Sequence, residues 1–504
     1  MPKNLDPVHS SIRPSNSSLF LPFPARIPVR KIPMAKASSE LHVAMLPWSA
    51  FSHMIPFYQL SIALAKRGVR VSYISTSRNI DRLPEIPCEL VYFMQYVSLP
   101  LAEVPGLPNG AEATVDLEFE EIPYLKVAYD LLHKPLKDFV SRHSPGWVIS
   151  DFAAHWLPEI TEEHQVQLMF FSVYTATTLV FFGPPEYLTG EGREKVRPAP
   201  ESLERPPDWG TIFPPSVAFR GYEAAKAYPG FYNSNASGIT DGERMARLIR
   251  GCRAVGVRSC SEFEGEYIEL YQNLLQIPVL PVGLLSPSKI GEEENKDGPW
   301  TEALKWLDQQ HPQSVIYVGF GSEYKLTKDE VYEIAYGLEL AQLPFLWALR
   351  RPTWASNDSE ALPAGFLSRT SGKGVVCLGW APQLKILAHP SVGGSLFHSG
   401  WGSIIETLQH GHNLILLPFI VDQGLNARVM VDKGLGIEVE RSEDGSYSRG
   451  DIAGALRRAM VGNEAEKIRT RGRKAATIFG DQKLQEEHYI REFVKYLTNA
   501  ARYQ

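Results

Sequence analysis

Cysteine is scarce in this sequence, with only four residues among 504. Cys88, Cys252, Cys260 and Cys377 are scattered and form no C-x-x-C pair or other metal-binding spacing. Disulfide frameworks and zinc sites both require paired or clustered cysteines. The sequence therefore predicts neither of them, and its cysteine usage is typical of a reducing compartment such as the cytoplasm.

An excess of positive charge is also lacking, because the net charge is −6 and no Lys/Arg block stands out. Binding to nucleic acid or to an anionic membrane requires such clusters, so neither partner is expected. The longest uncharged stretch begins at Val166 and ends at Gly183, and it is interrupted by Gln167, Ser172 and several threonines. This pattern favours a buried strand that leads into a helix, and no membrane span is expected.

The first 36 residues are rich in Pro and Ser, are basic, and contain Asp6 as their only acidic residue. An organelle transit peptide and a disordered tail both have this composition. Met34 lies shortly before the first apolar strand and is a second candidate start. The tail interpretation is favoured, and it agrees with a cytoplasmic location.

Two domains are expected at this length, since one hydrophobic core seldom serves so long a chain. Apolar strands and helices alternate from Leu41 onward, and the alternation restarts after the polar run Lys289–Asp297. Such βαβ repeats build parallel sheets. We therefore expect an α/β fold of two Rossmann-like, doubly wound domains that face a cleft, where ligands bind at the carboxyl ends of the strands. The expected boundaries are a disordered tail at 1–36, a first domain at 37–284, a linker at 285–300, a second domain at 301–480, and a helix at 481–504 that packs back toward the first domain.

The strands of the first domain are expected at Leu41–Leu46, Val69–Ser75, Trp147–Asp151 and Gln167–Phe171. Those of the second domain are expected at Ser314–Phe320, Phe345–Leu349, Val375–Gly379, Ser391–Phe397 and Asn413–Phe419, with helices at Thr327–Gln342, Ser403–His410 and Ala427–Lys433. Thr327-x-x-Glu330 is a predicted capping box. Residues 186–240 show no clear period, which indicates binding loops or a lid.

The strongest functional signal lies in the 44 residues from Trp380 to Gln423. Its polar and aromatic positions are Trp380-Ala381-Pro-Gln383, His389, His398-Ser-Gly400-Trp401-Gly402-Ser403, Glu406 and Asp422-Gln423. The spacing Ser403-x-x-Glu406 predicts a capping box that opens a helix directly after a strand.

A helix that begins there can bind a diphosphate, because the free N–H groups and the dipole at a helix N-terminus attract anions. Gly400 and Gly402 let the ligand approach the backbone closely. His398 at the strand end and Ser322 in Gly319-Phe-Gly-Ser322 are expected to donate hydrogen bonds to phosphate oxygens.

In residue type and spacing, this stretch resembles the signature box of the plant family 1 UDP-dependent glycosyltransferases, which have the two-domain GT-B fold. The resemblance implies that Trp380 stacks on the uracil of a UDP-sugar, with Ala381 and Gln383 nearby, and that Glu406 accepts from the ribose hydroxyls. It also implies that Asp422 and Gln423 hold the hydroxyls of the sugar, with Trp401 beside them.

Simpler roles stay open for several of these side chains. Glu406 can be only the partner in the capping box, and Trp380 can be an ordinary core aromatic, although the resemblance favours the ligand roles. His389 is expected to pack against local backbone, whereas His410 and His412 are expected to be solvated.

A general base is expected in the first domain. The segment Pro47–Pro56 matches the catalytic-histidine loop of the family, so the resemblance implies that His53 takes the proton of the acceptor hydroxyl. Asp151, at the end of a predicted strand, matches the aspartate that orients this ring. The alternative is a structural histidine in a turn, and the signature box together with Asp151 favours the catalytic role.

Three neighbouring positions carry open questions. Ser52 stands directly before His53, where many relatives have glycine, and it could alter the loop geometry. Thr175 is either a sugar contact or a helix N-cap. His155 is expected to be a wall residue near Asp151.

The resemblance implies a single displacement that inverts the anomeric carbon, with UDP stabilised by the helix dipole, His398 and Ser322 instead of a metal. The sequence has no Asp-x-Asp, the usual cation anchor of metal-dependent nucleotide-sugar enzymes, so no metal and no other cofactor is expected. A non-catalytic UDP-sugar sensor is an alternative, which the His53–Asp151 pair disfavours. A dinucleotide-dependent oxidoreductase is excluded, because the turn after the first strand lacks G-x-G-x-x-G.

The substrates are predicted less sharply. Segments such as Asp151–Trp156 and Val217–Tyr222 resemble most closely the sugar-chain-elongating branch, which includes UDP-rhamnose:rhamnosyltransferases. This implies a terpenoid or flavonoid glycoside as the acceptor, with a small aglycone alcohol as the alternative. Gln423 favours glucose over rhamnose slightly, while Gly402 and Asn413 replace residues that are common in relatives and leave the donor open. A monomer is expected.

Overall fold

The computed structural model describes residues 41–210, 212–287, 299–358 and 360–501. The predicted tail at 1–36 and most of the predicted linker at 285–300 lie outside the described residues. From Leu41 onward the chain forms one compact unit, which contains two parallel β-sheets. This arrangement confirms the predicted α/β fold of two doubly wound domains.

The first sheet has seven parallel strands in the order β3-β2-β1-β4-β5-β6-β7. Both of its faces are covered: Val43 and Met45 of β1 enter one core, and Ala44 and Leu46 enter another. Strands buried on both faces read as continuous apolar runs, which is why the sequence predicted them well. The strands are β1 His42–Leu46, β2 Arg70–Ser75, β3 Met94–Ser98, β4 Trp147–Ser150, β5 Gln167–Ser172, β6 Ala254–Val257 and β7 Val279–Pro281.

Eleven α-helices connect these strands within the described part of the first domain. They are α1 Phe51–Lys66, α2 Ser77–Ile80, α3 Ile122–Asp130, α4 His133–His143, α5 Leu157–Glu163, α6 Ala176–Phe182, α7 Pro185–Leu188, α8 Gly190–Val196, α9 Gly221–Tyr232, α10 Asp241–Gly251 and α11 Ser261–Leu275. Short 3-10 helices lie at Cys88–Leu90, Thr114–Asp116, Phe119–Glu121 and Pro200–Glu204.

The second sheet has six parallel strands in the order β10-β9-β8-β11-β12-β13. Ile316 and Val318 enter a core on one face, whereas Val315 and Tyr317 enter a core on the other. The strands are β8 Val315–Val318, β9 Phe345–Leu349, β10 Gly374–Leu378, β11 Val392–Phe397, β12 Asn413–Leu416 and β13 Gly436–Glu438. The helices are α12 Pro299–Asp308, α13 Lys328–Ala341, α14 Phe366–Arg369, α15 Gln383–Leu387, α16 Trp401–Leu408, α17 Gln423–Asp432, α18 Arg449–Met460 and α19 Gly462–Phe479.

The end of the chain returns to the first sheet. A π-helical segment at Leu484–Ile490 leads into α20, Arg491–Ala501. Trp147 of β4 donates its indole N–H to the carbonyl oxygen of Leu497 at 3.0 Å. Phe493 and Leu497 are buried in the same core as Val43.

Residues 186–240 differ most from the prediction, because they contain α7, α8 and α9 rather than only irregular loops. Pro229 inside α9 and aromatic rings on several sides obscure the helical period in this segment. Phe182 packs on Phe231 with ring centroids 4.5 Å apart, and Tyr187 stacks on Trp209 at 4.7 Å. In contrast, the capping box of Thr327 and Glu330 is confirmed at the start of α13.

None of the helices in the described ranges combines the length and the apolar character that a bilayer crossing requires.

Candidate active site

The strand order reverses between β1 and β4 in the first sheet and between β8 and β11 in the second. Such switch points open a crevice at the carboxyl ends of the strands. The two crevices meet, since Thr114 of the first domain donates to Glu323 Oε2, just after β8, at 2.7 Å. The two domains therefore meet near the carboxyl ends of their strands, where the sequence predicted a ligand-binding cleft.

His53 and Asp151 come together in the first-domain wall of this cleft. His53 Nδ1 lies 2.5 Å from Asp151 Oδ2, and both residues are buried. The carboxylate is held in place by two backbone N–H groups, since Trp48 donates to Oδ2 at 3.2 Å and Phe152 to Oδ1 at 2.7 Å. Because Nδ1 is engaged, Nε2 is the ring atom that can exchange a proton with a ligand.

The electrostatic surroundings of His53 favour its protonated form. Burial alone lowers the pKa of this imidazole, but the charge of Asp151 and its hydrogen bond, together with Glu323 and Asp422, raise the pKa above its usual value. A ring in this setting accepts a proton readily and stabilises the positive charge that results. The arrangement can therefore work as a general base.

The backbone around His53 differs from the predicted loop. Helix α1 begins at Phe51, so His53 lies in the first turn of a helix and not in a turn between elements. Ser52 has a negative φ, since it is absent from the positive-φ positions of the described chain. The backbone conformation therefore does not require a glycine at this position.

The helix after β11 begins earlier than predicted. Helix α16 starts at Trp401 with Gly400 as its N-cap, and no side chain caps it. The predicted capping box of Ser403 and Glu406 is therefore wrong, because both residues lie inside the helix. The backbone N–H groups of the first turn remain available to a ligand, which is the property that an anion site at this point requires.

His398 precedes this helix and presents an unused nitrogen. Its Nδ1 is buried and has no hydrogen-bond partner within the described chain. Burial lowers the pKa of this ring to about 4, so the ring is neutral and carries one N–H donor. An unpaired buried nitrogen is costly unless a ligand satisfies it, which fits the predicted phosphate contact.

Gln383 and Glu406 form one hydrogen-bonded group beside an open aromatic ring. Tyr317 donates to Gln383 Oε1 at 3.0 Å, and Gln383 Nε2 donates to Glu406 Oε2 at 2.6 Å. Burial raises the pKa of Glu406, although Gln383 and Arg258 oppose this shift. Trp380 is 83% exposed, so it is not a core aromatic, and Ala381 adjoins it.

Asp422 and Gln423 lie at the start of α17. Asp422 Oδ2 accepts from Asn426 Nδ2 at 2.8 Å. Burial raises the pKa of this carboxyl, while the hydrogen bond from Asn426 and the charge of His53 oppose the shift. Gln423 Oε1 accepts from the backbone of Phe419 and Ile420 at 2.9 and 3.1 Å. Its oxygen is thus committed to the loop, and only the amide nitrogen remains for a sugar.

The indole of Trp401 packs against residues of the first domain. Its indole is buried, stacks on Phe263 with centroids 5.9 Å apart, and donates to the carbonyl oxygen of Arg258 at 2.7 Å. The side chain is part of the contact between the two domains. The position beside the sugar, which the resemblance implies for Trp401, stays a prediction.

The remaining singled-out residues have structural roles. Thr175 is confirmed as an N-cap, because its hydroxyl accepts from Thr178 N, and it also contacts Asn426. His389 accepts from the backbone of Ser391, as expected. His410 is exposed, but the prediction of a solvated His412 is wrong, since this ring is buried.

His155 lies in an ionic cluster rather than on an open wall. Its Nδ1 is 3.1 Å from Arg244 Nη1, and Arg244 also pairs with Asp130. Burial lowers the pKa of His155, and the guanidinium opposes the pull of Asp130.

Two residues that contact or influence His53 could not be identified from the sequence. Glu323 has a buried Oε1 without a partner in the described residues, and it contributes to the shifted pKa of His53. The ring of Tyr174 packs edge-on against His53 with centroids 5.6 Å apart. Neither residue lies in a recognisable spacing, so only a signal from the fold could have found them.

Comparisons with known proteins point to one family. Residues 291–470 match the family described as UDP-glucoronosyl and UDP-glucosyl transferase. UDP-glycosyltransferase 91C1 of Arabidopsis thaliana is 40% identical over 465 residues, which cover 92% of this chain and 98% of that protein. The soyasaponin III rhamnosyltransferase of Glycine max is 37% identical, and the match covers 90% of this chain and 94% of that protein.

A solved structure supports the same assignment. It is a UDP-glucosyltransferase from Polygonum tinctorium, described as capable of glucosylating indoxyl, in complex with 3,4-dichloroaniline. Its TM-score is 0.71 at 26% identity, and the match covers 92% of this chain and 100% of that chain.

Two parallel-sheet domains around a cleft of this kind define a GT-B glycosyltransferase that uses a nucleotide-sugar donor. The chain belongs to the plant family 1 UDP-glycosyltransferases and transfers a sugar from a UDP-sugar.

Proposed function

We propose that this enzyme transfers a hexose, glucose or rhamnose, from UDP to a hydroxyl of a terpenoid or flavonoid glycoside, with inversion at the anomeric carbon. The observation that carries the proposal is the contact between His53 Nδ1 and Asp151 Oδ2 at 2.5 Å. It fixes the ring, leaves Nε2 for the acceptor, and provides a negative charge for the imidazolium that forms.

The reaction is a single displacement. The acceptor oxygen forms a bond to the anomeric carbon while the bond from that carbon to the UDP oxygen breaks. The proton of the acceptor hydroxyl passes to His53 Nε2, and the electron pair of the broken bond leaves with UDP. One displacement from the face opposite the leaving group inverts the configuration of the carbon.

The leaving diphosphate is stabilised by the protein rather than by a metal. The N-terminus of α16 offers uncapped N–H groups. His398 follows β11 and Ser322 follows β8, and Gly321 lies against the ring of His398. Across the described ranges, no three carboxylate, histidine or cysteine side chains are grouped as cation ligands. Preorganised donors of this kind stabilise developing charge effectively in a site from which water is excluded.

Each chemical group of the UDP-sugar has its own binding residues in the proposed donor pocket. The exposed indole of Trp380 stacks on the uracil, with Ala381 and Gln383 at its edge, and Glu406 accepts from the ribose. Gly402 and Ser403 flank the diphosphate. Asp422 and the amide nitrogen of Gln423 bind the hexose hydroxyls near His53.

A glycoside is the preferred acceptor class, and a small aglycone alcohol is the alternative. The relative from soybean is named as a rhamnosyltransferase of soyasaponin III, a saponin. The Polygonum enzyme is described as acting on indoxyl, an aglycone. We propose that the enzyme works as a cytoplasmic monomer, since both walls of the cleft come from one chain and its four cysteines form no disulfide.

A donor-by-acceptor screen with UDP-glucose, UDP-rhamnose and UDP-xylose against aglycones and monoglycosides, with products identified by mass, tests the substrate classes. His53→Ala should lower the transfer rate by about 10²- to 10⁴-fold while UDP affinity stays near the wild-type value. His410→Ala is the control, because this exposed ring lies outside the cleft. Normal turnover of His53→Ala would show that the base assignment is wrong.

A further inference from the structure

A buried arginine of the first domain lies beneath the start of α16, where the roles assigned above do not use it. Arg258 directly follows β6 and is only 3% exposed. Its Nε donates to the carbonyl oxygen of Leu284 at 2.9 Å, and its Nη2 donates to Gln59 Oε1 at 3.3 Å. In the part of the chain that the structure describes, the third nitrogen, Nη1, makes no hydrogen bond.

The unpaired nitrogen points at the second residue of α16. A Cβ placed on Gly402 would meet a single neighbouring heavy atom, which is Arg258 Nη1 at 3.5 Å. Gly402 belongs to the first turn of the helix, where backbone N–H groups have no acceptor within the helix. The guanidinium therefore lies next to the space that a side chain at this position would take, beside the uncapped N–H groups.

The position of Arg258 is fixed from both domains. Its carbonyl oxygen accepts from Trp401 Nε1 at 2.7 Å, which ties it to the first residue of α16. Through Gln59 its guanidinium also touches α1, the helix that carries His53. A ligand that engages Nη1 would therefore contact a residue linked to both walls of the cleft.

The charge of Arg258 is not neutralised by a direct partner. Within the described ranges it forms no ion pair, and Glu406 is the acidic group that influences it. Burial lowers the pKa of the guanidinium to about 10, with Glu406 acting in the opposite direction. The side chain thus stays charged at neutral pH, and a buried cation without an adjacent anion is destabilising until an anion arrives.

We propose that Arg258 is a donor-binding residue contributed by the first domain, whose Nη1 donates to the diphosphate of the UDP-sugar in the space that Gly402 leaves open. This inference rests on the proposed function, which places the diphosphate at the N-terminus of α16. A planar guanidinium suits this task, because it presents donors in a fixed geometry that matches phosphate oxygens.

The test compares UDP with uridine, which lacks the diphosphate. Calorimetry on the full chain should show that Arg258→Met binds UDP about 10- to 100-fold more weakly than the wild type, while uridine affinity is unchanged. Arg258→Lys should bind UDP with intermediate affinity, since lysine keeps the positive charge but not the planar set of guanidinium donors. This variant carries the test if Arg258→Met does not fold. If Arg258 were purely structural, its replacement would weaken the binding of UDP and of uridine equally, and that result would overturn the inference.

A double variant provides the matched comparison, because a side chain at Gly402 would extend toward Arg258 Nη1. Arg258→Met combined with Gly402→Asn should recover part of the lost UDP affinity, since the amide brings a donor into the vacated space. An unchanged UDP-to-uridine ratio in all Arg258 variants would refute the proposal.

His398→Ala separates this inference from the proposed function. If wild-type enzyme binds UDP no more tightly than uridine, the diphosphate does not lie at α16 and both ideas fail. If His398→Ala weakens UDP binding selectively and Arg258→Met does not, the donor site stands and only the role of Arg258 is wrong.

Discussion

Gly321 lies directly against the imidazole ring of His398. A Cβ on Gly321 would stand 2.9 Å from His398 Cε1, and one on Gly400 would stand 2.6 Å from Nε2. The ring is therefore held between two glycines, one after β8 and one before α16. The two glycines therefore fix the orientation of the ring that is proposed to donate a hydrogen bond to a phosphate oxygen.

Gly321→Ala should displace His398 and raise the KM for the UDP-sugar about 10-fold or more, since a Cβ at that distance forces the ring to move. Gly321 also has a φ of +68°, so the substitution adds backbone strain of about 1–2 kcal/mol. Gly372→Ala is the control, because Gly372 has a φ of +80° and open space around it. Thermal unfolding should show similar losses for both variants, and steady-state kinetics should show a donor defect only for Gly321→Ala.

The pH dependence of transfer should reveal the pair of His53 and Asp151. His53 must be neutral to act as a base, and its pKa is raised above the usual value of 6.5 for histidine. The midpoint of the acid limb of the pH–activity profile should therefore lie above pH 6.5. Asp151→Asn removes the charge that raises this pKa, and burial then lowers it. The acid limb of kcat/KM should therefore move to lower pH, while the plateau falls by about 10²- to 10⁴-fold. An acid limb that stays in place in Asp151→Asn would contradict this assignment.

Two tryptophans of the signature box should behave in opposite ways. Trp380→Ala should leave the free energy of unfolding within about 0.5 kcal/mol of wild type, because the ring is 83% exposed, and should raise the KM for the donor. Trp401→Phe should lower the free energy of unfolding by about 1–3 kcal/mol, since it leaves the carbonyl oxygen of Arg258 without its donor. Denaturant unfolding and donor titration on both variants check the contrast. Equal stability losses would contradict the placement of the two rings.

Asp422→Asn should separate binding of the sugar from binding of the nucleotide. Asp422 is buried beside Asn426, and burial raises its pKa, so the isosteric amide replaces it with little change in packing. We expect an unchanged Kd for UDP and a loss of about 10- to 100-fold in kcat/KM with the UDP-sugar, because a hydrogen bond to a charged group is lost. Glu438→Gln, at a carboxylate paired with Arg220 outside the donor pocket, is the control. A weakened Kd for UDP in Asp422→Asn would place this residue at the nucleotide instead.

Much of this molecule could be read from its sequence because its sheets are parallel. The strand expected at Ser391–Phe397 is Val392–Phe397, and the strand expected at Asn413–Phe419 is Asn413–Leu416. Helix starts were less certain: α16 begins two residues before Ser403, since a glycine N-cap leaves no side-chain signal for the first turn. The helices in 186–240 were missed because their aromatic residues pack on several sides.

The two α/β domains and the family could be inferred from the chain alone, because strand burial and a fixed motif spacing are local properties. Which side chains line the cleft could not be inferred in this way, because it depends on contacts between residues far apart in the chain. The indole of Trp401 packs in the contact between the domains, and the guanidinium of Arg258 lies near Gly402. Trp401 and Arg258 are joined by a hydrogen bond although 143 positions separate them in the chain. Such pairs leave no periodic trace in the sequence, since their partners come from different domains and meet only when the cleft forms.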